Sequence, residues 1–158
     1  NPPKKFEKLF KKASDEGFIT VAHAGEEGPA EYIWDSVNLL KVKRIDHGVQ
    51  CLKDEKLVEE LKKKQIPLTV CPLSNVKLCV FDKLENHNLK KMLNLGLRVM
   101  VNSDDPAYFG GYLNKNLIEI QSALDLTNEE VKTLIINSFK SSFLDEAKKN
   151  EWIAKINK

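Results

Sequence analysis

Short apolar runs alternate with amphipathic helical stretches along this chain, and this alternation constrains its fold more than any other feature. Each run is rich in Val, Ile and Leu and is apolar at successive positions, which indicates strands covered on both faces. Strands separated by helices pair in parallel through right-handed crossovers. The pattern predicts an α/β fold with four parallel strands, at residues 18–22, 44–47, 67–71 and 98–102.

The segments between the strands carry apolar residues at helical spacing, with charged residues between them. In residues 54–64, for example, three apolar side chains form one stripe and lysines occupy the outer positions. Thr127 and Glu130 have the spacing of a capping box, which predicts a helix from there to about residue 143. Further helices are expected at residues 6–16, 29–40, 89–95 and 145–158.

Composition narrows the function classes. The chain has 158 residues, of which 42% are hydrophobic and 30% charged, so it can bury one ordinary core and is not a disordered segment. The net charge is +2 with both signs interspersed, which gives no basis for a nucleic-acid partner. No apolar run approaches the ~18–20 residues of a membrane helix, so no membrane partner is expected.

The cysteines and the first residues bear on the compartment. Cys51, Cys71 and Cys79 form no CxxC pair and cannot all be paired, so we interpret each as a small buried hydrophobic residue. The first twenty residues are rich in lysine and lack the apolar region of a signal peptide. We therefore expect a reducing, cytoplasmic environment.

Chemistry-bearing residues follow each predicted strand, at the point where the strand ends. The carboxyl ends of parallel strands meet at one edge of a sheet, which is where ligands bind in α/β folds. Two of the three histidines and an adjacent acid pair fall at these positions. The four strand-end segments are residues 23–26, 46–48, 71–75 and 102–106.

Each of these features also has a structural interpretation. A histidine at a strand end can be an ordinary hydrogen-bonded residue, Asp104 and Asp105 before Pro106 can form a turn or a helix cap, and Glu26 can complement a helix dipole. These structural interpretations would all have to hold at four consecutive strand ends, so one shared ligand site is the better explanation. His87 lies in a polar segment, and we expect it to be exposed and without function.

Imidazole and carboxylate are good ligands for Zn²⁺, and a catalytic zinc also needs groups that move protons. From residue types alone, His23 and one of the two aspartates can be ligands. His47 can then serve as base, Glu26 as acid, and the second aspartate is left to bind substrate.

Three motifs occur in a fixed order on successive strands: His-Ala-Gly-Glu at 23–26, Asp-His-Gly at 46–48 and Ser-Asp-Asp-Pro at 103–106. Together they resemble the adenosine and adenine deaminases of the amidohydrolase superfamily, from about residue 18 to 109 and more loosely to the end. Segments 71–78 and 106–112 resemble the adenine deaminase branch more than the adenosine branch.

The resemblance implies a TIM (β/α)8 barrel with one zinc ion and the hydrolysis of adenine to hypoxanthine and ammonia, as in purine salvage. By that resemblance His23 and Asp104 are zinc ligands, and Glu26 donates a proton to purine N1. His47 positions or deprotonates the attacking hydroxide, and Asp105 hydrogen-bonds purine N7. The implied partner is a small-molecule purine.

The chain departs from the family pattern in two ways. The His-x-His pair that supplies two further zinc ligands in the family is absent, and four strands are present where a barrel needs eight. We therefore expect residues 1–158 to be a single partial domain, strands five to eight of the barrel, with C-terminal helices over 127–158. The start at Asn1, without Met, agrees with a severed chain.

An incomplete barrel leaves sheet edges and an apolar interior exposed, so the expected protein partner is the missing half or a second copy. We expect the isolated chain to be inactive. Two alternatives remain open: adenosine deamination to inosine, and a catalytically inert fragment or interaction module.

Overall fold

The computed structural model describes residues 1–157, and in this range the chain forms a four-stranded parallel sheet in the order β1-β2-β3-β4. Its register pairs Ala22 with Ile45, Ile45 with Leu68, and Leu68 with Val99. The predicted α/β architecture is thereby confirmed. The strands are β1 (Val21–Ala24), β2 (Arg44–His47), β3 (Leu68–Val70) and β4 (Val99–Val101).

Helices connect the strands and follow the last one. A 3₁₀ turn at Pro3–Phe6 precedes the first helix, and two more lie at Val49–Lys53 and Leu84–Asn86. The α-helices of residues 1–157 are α1 (Glu7–Asp15), α2 (Ala30–Asn38), α3 (Glu55–Lys64), α4 (Pro72–Lys77), α5 (Leu89–Asn94), α6 (Pro106–Phe109), α7 (Leu113–Leu124), α8 (Asn128–Lys140) and α9 (Glu146–Ile156).

The predicted helix starts agree with the caps that form. The Asp54 side chain accepts the backbone N–H groups of Lys56 and Leu57 at the start of α3. Thr127 and Glu130 form the predicted capping box at the start of α8. The helix α7 is absent from the sequence prediction, which assigned no element between residues 106 and 127.

The first strand lies later in the chain than predicted. Residues 18–22 were expected, but pairing with β2 begins at Val21 and continues through His23 to Ala24. Phe18 and Ile19 are 66% and 57% exposed, since they precede this pairing. Apolar composition alone does not make a strand where no neighbouring strand is available in the described part of the chain.

The core surrounds the sheet. Ile45, Leu68 and Val99 are fully buried on neighbouring strands. Helices α2, α3, α5 and α8 cover them with buried apolar side chains, including Ile33, Leu57, Leu61, Met92 and Leu134. Because all three strand pairs are parallel, the carboxyl ends of the four strands lie together on one side of the sheet.

All three cysteines are unpaired. Cys51 and Cys71 are buried, as expected, but Cys79 is exposed, so that prediction was wrong at this position. None of the helices in residues 1–157 combines the length and apolar character needed to cross a membrane.

Candidate active site

The carboxyl edge of the sheet carries a cleft of about 380 Å³. Residues from all four strand ends line it, which explains how positions far apart in sequence meet at one point. Three of the predicted site residues are among them. The lining residues are His23, Asp46, His47, Thr69, Cys71, Asn102, Ser103, Asp104 and Leu113.

Two of the lining residues have a left-handed backbone that side chains other than glycine rarely adopt. His47 has φ of 70° and Asp104 has φ of 56°. Such conformations are costly, and they cluster at functional sites where the surrounding structure holds them. Here they turn the chain sharply at the ends of β2 and β4, and both side chains then face each other across 3.8 Å.

His47 is almost fully buried and connects two predicted site residues. Its Nδ1 lies 3.1 Å from Glu26 Oε1, and its Nε2 lies 3.8 Å from Asp104 Oδ2. Burial, followed by the nearby His23, lowers the pKa of His47 to about 4, so the ring is neutral at pH 7. Asn75 Nδ2 lies 3.4 Å from the same Nδ1. A neutral imidazole carries a lone pair on one of its two nitrogens, so His47 can accept a proton.

Glu26 has a carboxyl group whose pKa is shifted by its surroundings. Burial raises the pKa of this carboxyl above its usual value, and the negative charge of Asp104 raises it further. A hydrogen bond from Asn75 Nδ2 to Glu26 Oε1, 2.7 Å long, acts in the opposite direction. A raised pKa is the direction that favours a proton donor in this position.

His23 lies at the rim, with 71% of its side chain exposed. Its Nδ1 is 3.7 Å from Asp46 Oδ2, and the His23 and His47 rings are 5.1 Å apart. Asp46 is itself held by Arg44 Nε at 3.1 Å and by the Thr69 hydroxyl at 2.8 Å. The imidazole of His23 therefore has a fixed carboxylate behind it, as metal-binding histidines commonly do.

Asp104 is held from the opposite side of the cleft. The buried Ser74 hydroxyl donates to Asp104 Oδ2 at 2.8 Å. Ligand atoms of Asp104, His47 and Cys71 all lie within 4.8 Å of one another. Nitrogen, sulfur and oxygen donors at this spacing suit a divalent ion such as Zn²⁺. Burial raises the pKa of the Cys71 thiol well above its usual value, which keeps it protonated and makes it the weaker donor.

Asp105 has a structural task as well as its predicted one. Its Oδ1 accepts the backbone N–H groups of Ala107 and Tyr108, both at 3.1 Å, and so caps the short helix α6. The helix-cap interpretation thus holds for one oxygen of Asp105. The exposed side chain is not part of the cleft lining, so its contact with a purine stays a prediction.

Sequence reasoning missed the residues that support these groups. His87 was expected to be exposed and without function, but it is only 4% exposed. It was placed in a polar loop because its neighbours Asn86 and Asn88 are polar, whereas its own ring packs against Phe81 at 4.3 Å. Asn75 lies in a predicted strand-end segment, and this position is the one sequence feature that could have indicated it as a site residue.

Comparison with known proteins agrees with this geometry. The family model described as "Adenosine deaminase" matches residues 1–158. The chain belongs to the adenosine deaminase family. The expected resemblance is confirmed, and the (β/α)8 barrel is the parent architecture of its four strands.

Individual members of the adenosine deaminase family cover nearly the whole chain. The adenine deaminase of Acinetobacter baylyi is 58% identical over 157 residues, which are 99% of this chain and 47% of that protein. The crystal structure of an adenine deaminase from Arthrobacter aurescens has a TM-score of 0.98 and 49% identity, covering 99% of this chain and 48% of its own. An amidohydrolase structure from Burkholderia ambifaria, with bound Zn, has a TM-score of 0.91 and 29% identity, covering 99% and 44%.

The chain spans about half the length of the curated relatives it matches. Its four parallel strands are accordingly half of the eight that a closed barrel contains. This agrees with the expectation of a half barrel. The bound Zn in the amidohydrolase structure supports a divalent metal as the cofactor type of this fold.

Proposed function

We propose that the chain supplies half of the active site of an adenine deaminase, which converts adenine and water to hypoxanthine and ammonia. The observation that carries the proposal is the pair formed by Glu26 and His47, 3.1 Å apart beside Asp104. One member is a carboxyl group whose pKa is raised, and the other is an imidazole whose pKa is lowered. Environments that separate two pKa values in this way assign an acid and a base.

The residues of this chain have distinct roles in the proposed reaction. Attack of water on C6 pushes electron density onto the purine ring, and Glu26 neutralises it by transferring its proton to N1. His47 accepts one proton of the attacking water at Nε2 as the water oxygen bonds to C6. Asp105 accepts the N–H at N7 through the carboxylate oxygen that does not cap α6. The C6–N bond then breaks as His47 returns its proton to the amino group, which leaves as ammonia. The proton of the new C6 hydroxyl passes to the Glu26 carboxylate as the C6 carbonyl forms.

His23 and Asp104 are the residues we propose as metal ligands in this half. A bound zinc ion would act as a Lewis acid that lowers the pKa of water toward ~7. Three protein ligands are usual in catalytic zinc sites, so this pair needs at least one more, and the proposed source is a pair of histidines in the other half.

The proposed protein partner is that other half of the barrel, or a second copy of this chain. Within residues 1–157, β1 and β4 each have a neighbouring strand on one side, so each presents an edge. Phe18, Ile19 and Leu9 add an exposed apolar surface near β1. A closed barrel removes such edges by pairing them. A cytoplasmic location remains a prediction from the sequence.

Two other functions stay open. Adenosine deamination is the second candidate in the same reaction class, and the names of the similar curated relatives favour adenine. An inert fragment or interaction module would need neither metal nor turnover. Zinc per chain, measured by elemental analysis in the protein that joins both halves, separates the module from an enzyme, because a module needs none.

The decisive experiment uses the protein in which this chain is joined to the other half of the barrel. Ammonia release from adenine and from adenosine is measured for the wild type, for Glu26→Gln and for Glu27→Gln. The second variant is a matched control, since Glu27 is the adjacent, exposed residue of the same type. We expect Glu26→Gln to lower kcat by about 10²–10⁴-fold, the usual contribution of a general acid, and Glu27→Gln to change it little. Preference for adenosine, or wild-type turnover in Glu26→Gln, would contradict the proposal.

A further inference from the structure

A buried polar pathway leads from the proposed acid, Glu26, away from the cleft. Glu26 Oε1 accepts from Asn75 Nδ2 at 2.7 Å, and Asn75 Oδ1 lies 3.3 Å from His87 Nε2. Asn75 is fully buried and His87 is 4% exposed, and neither belongs to the cleft lining. Nothing in the proposed reaction uses His87.

The hydrogen bonds of this pathway fix the tautomer of His87. Its Nδ1 faces the backbone N–H of Leu89 at 3.1 Å, and a backbone N–H can only donate. Nδ1 must therefore carry the lone pair. Burial lowers the pKa of His87 to about 4, so the ring is neutral and its one proton sits on Nε2. Nε2–H then donates to the oxygen of the Asn75 side chain.

This donation determines which way the Asn75 amide faces. With Oδ1 held by His87, the NH₂ group points at Glu26. The reverse orientation would set two donors against each other at His87 and two oxygens against each other at Glu26. Since the two unfavourable contacts arise together, His87 and Glu26 select the same orientation of the amide.

The amide in turn determines which oxygen of Glu26 carries the proton. Oε1 accepts from Asn75 Nδ2 and also lies 3.1 Å from His47 Nδ1. Asn75 Nδ2 also lies within hydrogen-bond distance of His47 Nδ1, at 3.4 Å. An oxygen that already accepts a hydrogen bond from the Asn75 amide is a poor place for a proton, so a proton on this carboxyl group belongs on Oε2.

We propose that His87 is a positioning residue for the deamination: through Asn75 it holds the Glu26 carboxyl so that Oε2–H faces the substrate nitrogen. The inference rests on the proposed function for the identity of the reaction. His87 touches neither substrate nor metal. It acts by fixing the orientation of one amide, which fixes the donor oxygen of the acid.

A purely structural role for His87 predicts something different. If the ring only filled space beside Phe81, an apolar residue of similar size would serve better, because a buried imidazole is costly unless its polar atoms are satisfied. Its removal would then reduce stability and leave the rate constant of the folded enzyme unchanged. The positioning role predicts a lower kcat at nearly constant KM, with recovery when the donor is restored.

The kinetic test compares three variants in the protein that joins both halves. His87→Leu removes the donor, and His87→Gln places an amide N–H near the position of Nε2 while also losing the Nδ1 acceptor. Leu89→Ala is the matched control, since Leu89 is fully buried next to the same segment but has no side-chain polar atom. We expect His87→Leu to lower kcat by about 10- to 100-fold, as loss of an orienting partner typically does, with His87→Gln recovering most of it. Leu89→Ala should lower stability and keep the wild-type kcat.

Equal loss of kcat in His87→Leu and His87→Gln would overturn the positioning role, as would the same loss in Leu89→Ala. A second measurement needs no variant. Nitrogen-15 NMR of the labelled wild-type chain reports which ring nitrogen of His87 is protonated, and we expect Nε2. Protonation at Nδ1 would overturn the pathway even if the enzyme is active. An inactive wild type with Nε2 protonated would instead count against the proposed function and leave the geometry supported.

Discussion

The hydrogen bond from Ser74 to Asp104 gives a quantitative test of how the proposed metal ligand is held. Ser74 is fully buried at the start of α4, and its hydroxyl donates to Asp104 Oδ2 at 2.8 Å. Ser74→Ala removes this donor without adding bulk. Asp104, whose left-handed backbone already directs it into the cleft, then loses a partner that restricts its side chain.

The magnitude follows from the type of bond. A hydrogen bond to a charged group contributes about 1.5–3 kcal/mol, and about 1.4 kcal/mol corresponds to tenfold in an equilibrium constant. A supporting partner of a metal ligand typically changes metal affinity by about 10- to 100-fold, which is the same range. We therefore expect Ser74→Ala to weaken zinc binding by about 10- to 100-fold in the protein that joins both halves.

The assay is competition for Zn²⁺ against a chromophoric chelator of known affinity. Ser36→Ala is the matched control, because Ser36 is also fully buried and its hydroxyl makes a bond of the same length, 2.8 Å, to Tyr32 O on α2. Both variants lose a buried serine hydroxyl, but only one loses contact with Asp104. Zinc affinity in Ser74→Ala equal to that of Ser36→Ala would refute the reasoning.

Two further predictions concern stability and are measured by urea denaturation of this chain. Gly25→Ala should lower the free energy of unfolding by about 3 kcal/mol, because the added Cβ would overlap Ile33 and φ is +67°. Gly17→Ala should lower it by only about 1 kcal/mol, because φ is +86° but the space around the residue is open. Equal costs would show that crowding by Ile33 is unimportant. The pKa of His87 is about 4 in the folded chain and about 6.5 in the unfolded chain. Its contribution to the free energy of unfolding is therefore present above pH 6.5 and is lost as the pH falls toward 4. The loss between pH 7 and pH 5 is about 2 kcal/mol. His87→Gln should reduce that loss by this amount, and an unchanged loss would contradict the burial of a neutral ring.

The four strands could be predicted because parallel, doubly covered strands have a local signature. Residues 44–47 are predicted and found at the same bounds, and the strands at 68–70 and 99–101 lie within the predicted ranges. The residues at their carboxyl ends followed from topology, since parallel strands place those ends together. Local pattern and topology together therefore gave His23, His47 and Asp104 as neighbours around one cleft.

The supporting residues could not be predicted in the same way, because they depend on contacts between distant segments. Asn75 and Glu26 are 49 residues apart, and Ser74 and Asp104 are 30 apart. The local sequence of a polar segment does not predict which distant carboxylate its side chains contact. His87 is the clearest example of this limit on local prediction. Its sequence neighbours are polar, but it is buried through contacts with Phe81 and Asn75 that form only in the folded chain.

The proposed enzyme needs acid–base groups and metal ligands, and this chain supplies the first set more completely than the second. The proposed acid Glu26, the proposed base His47 and the residues that we propose orient the acid, Asn75 and His87, all lie in this chain. Their pKa shifts arise from burial within it and from charges that it carries itself. The proposed metal ligands are only two, His23 and Asp104, and His23 is largely exposed at the rim. It follows that the acid–base part of the site is organised by the fold of this half, whereas metal binding depends on what closes the barrel. Loss of activity in the isolated chain would then reflect missing metal ligands and substrate contacts, and the orientation of Glu26 should already be present.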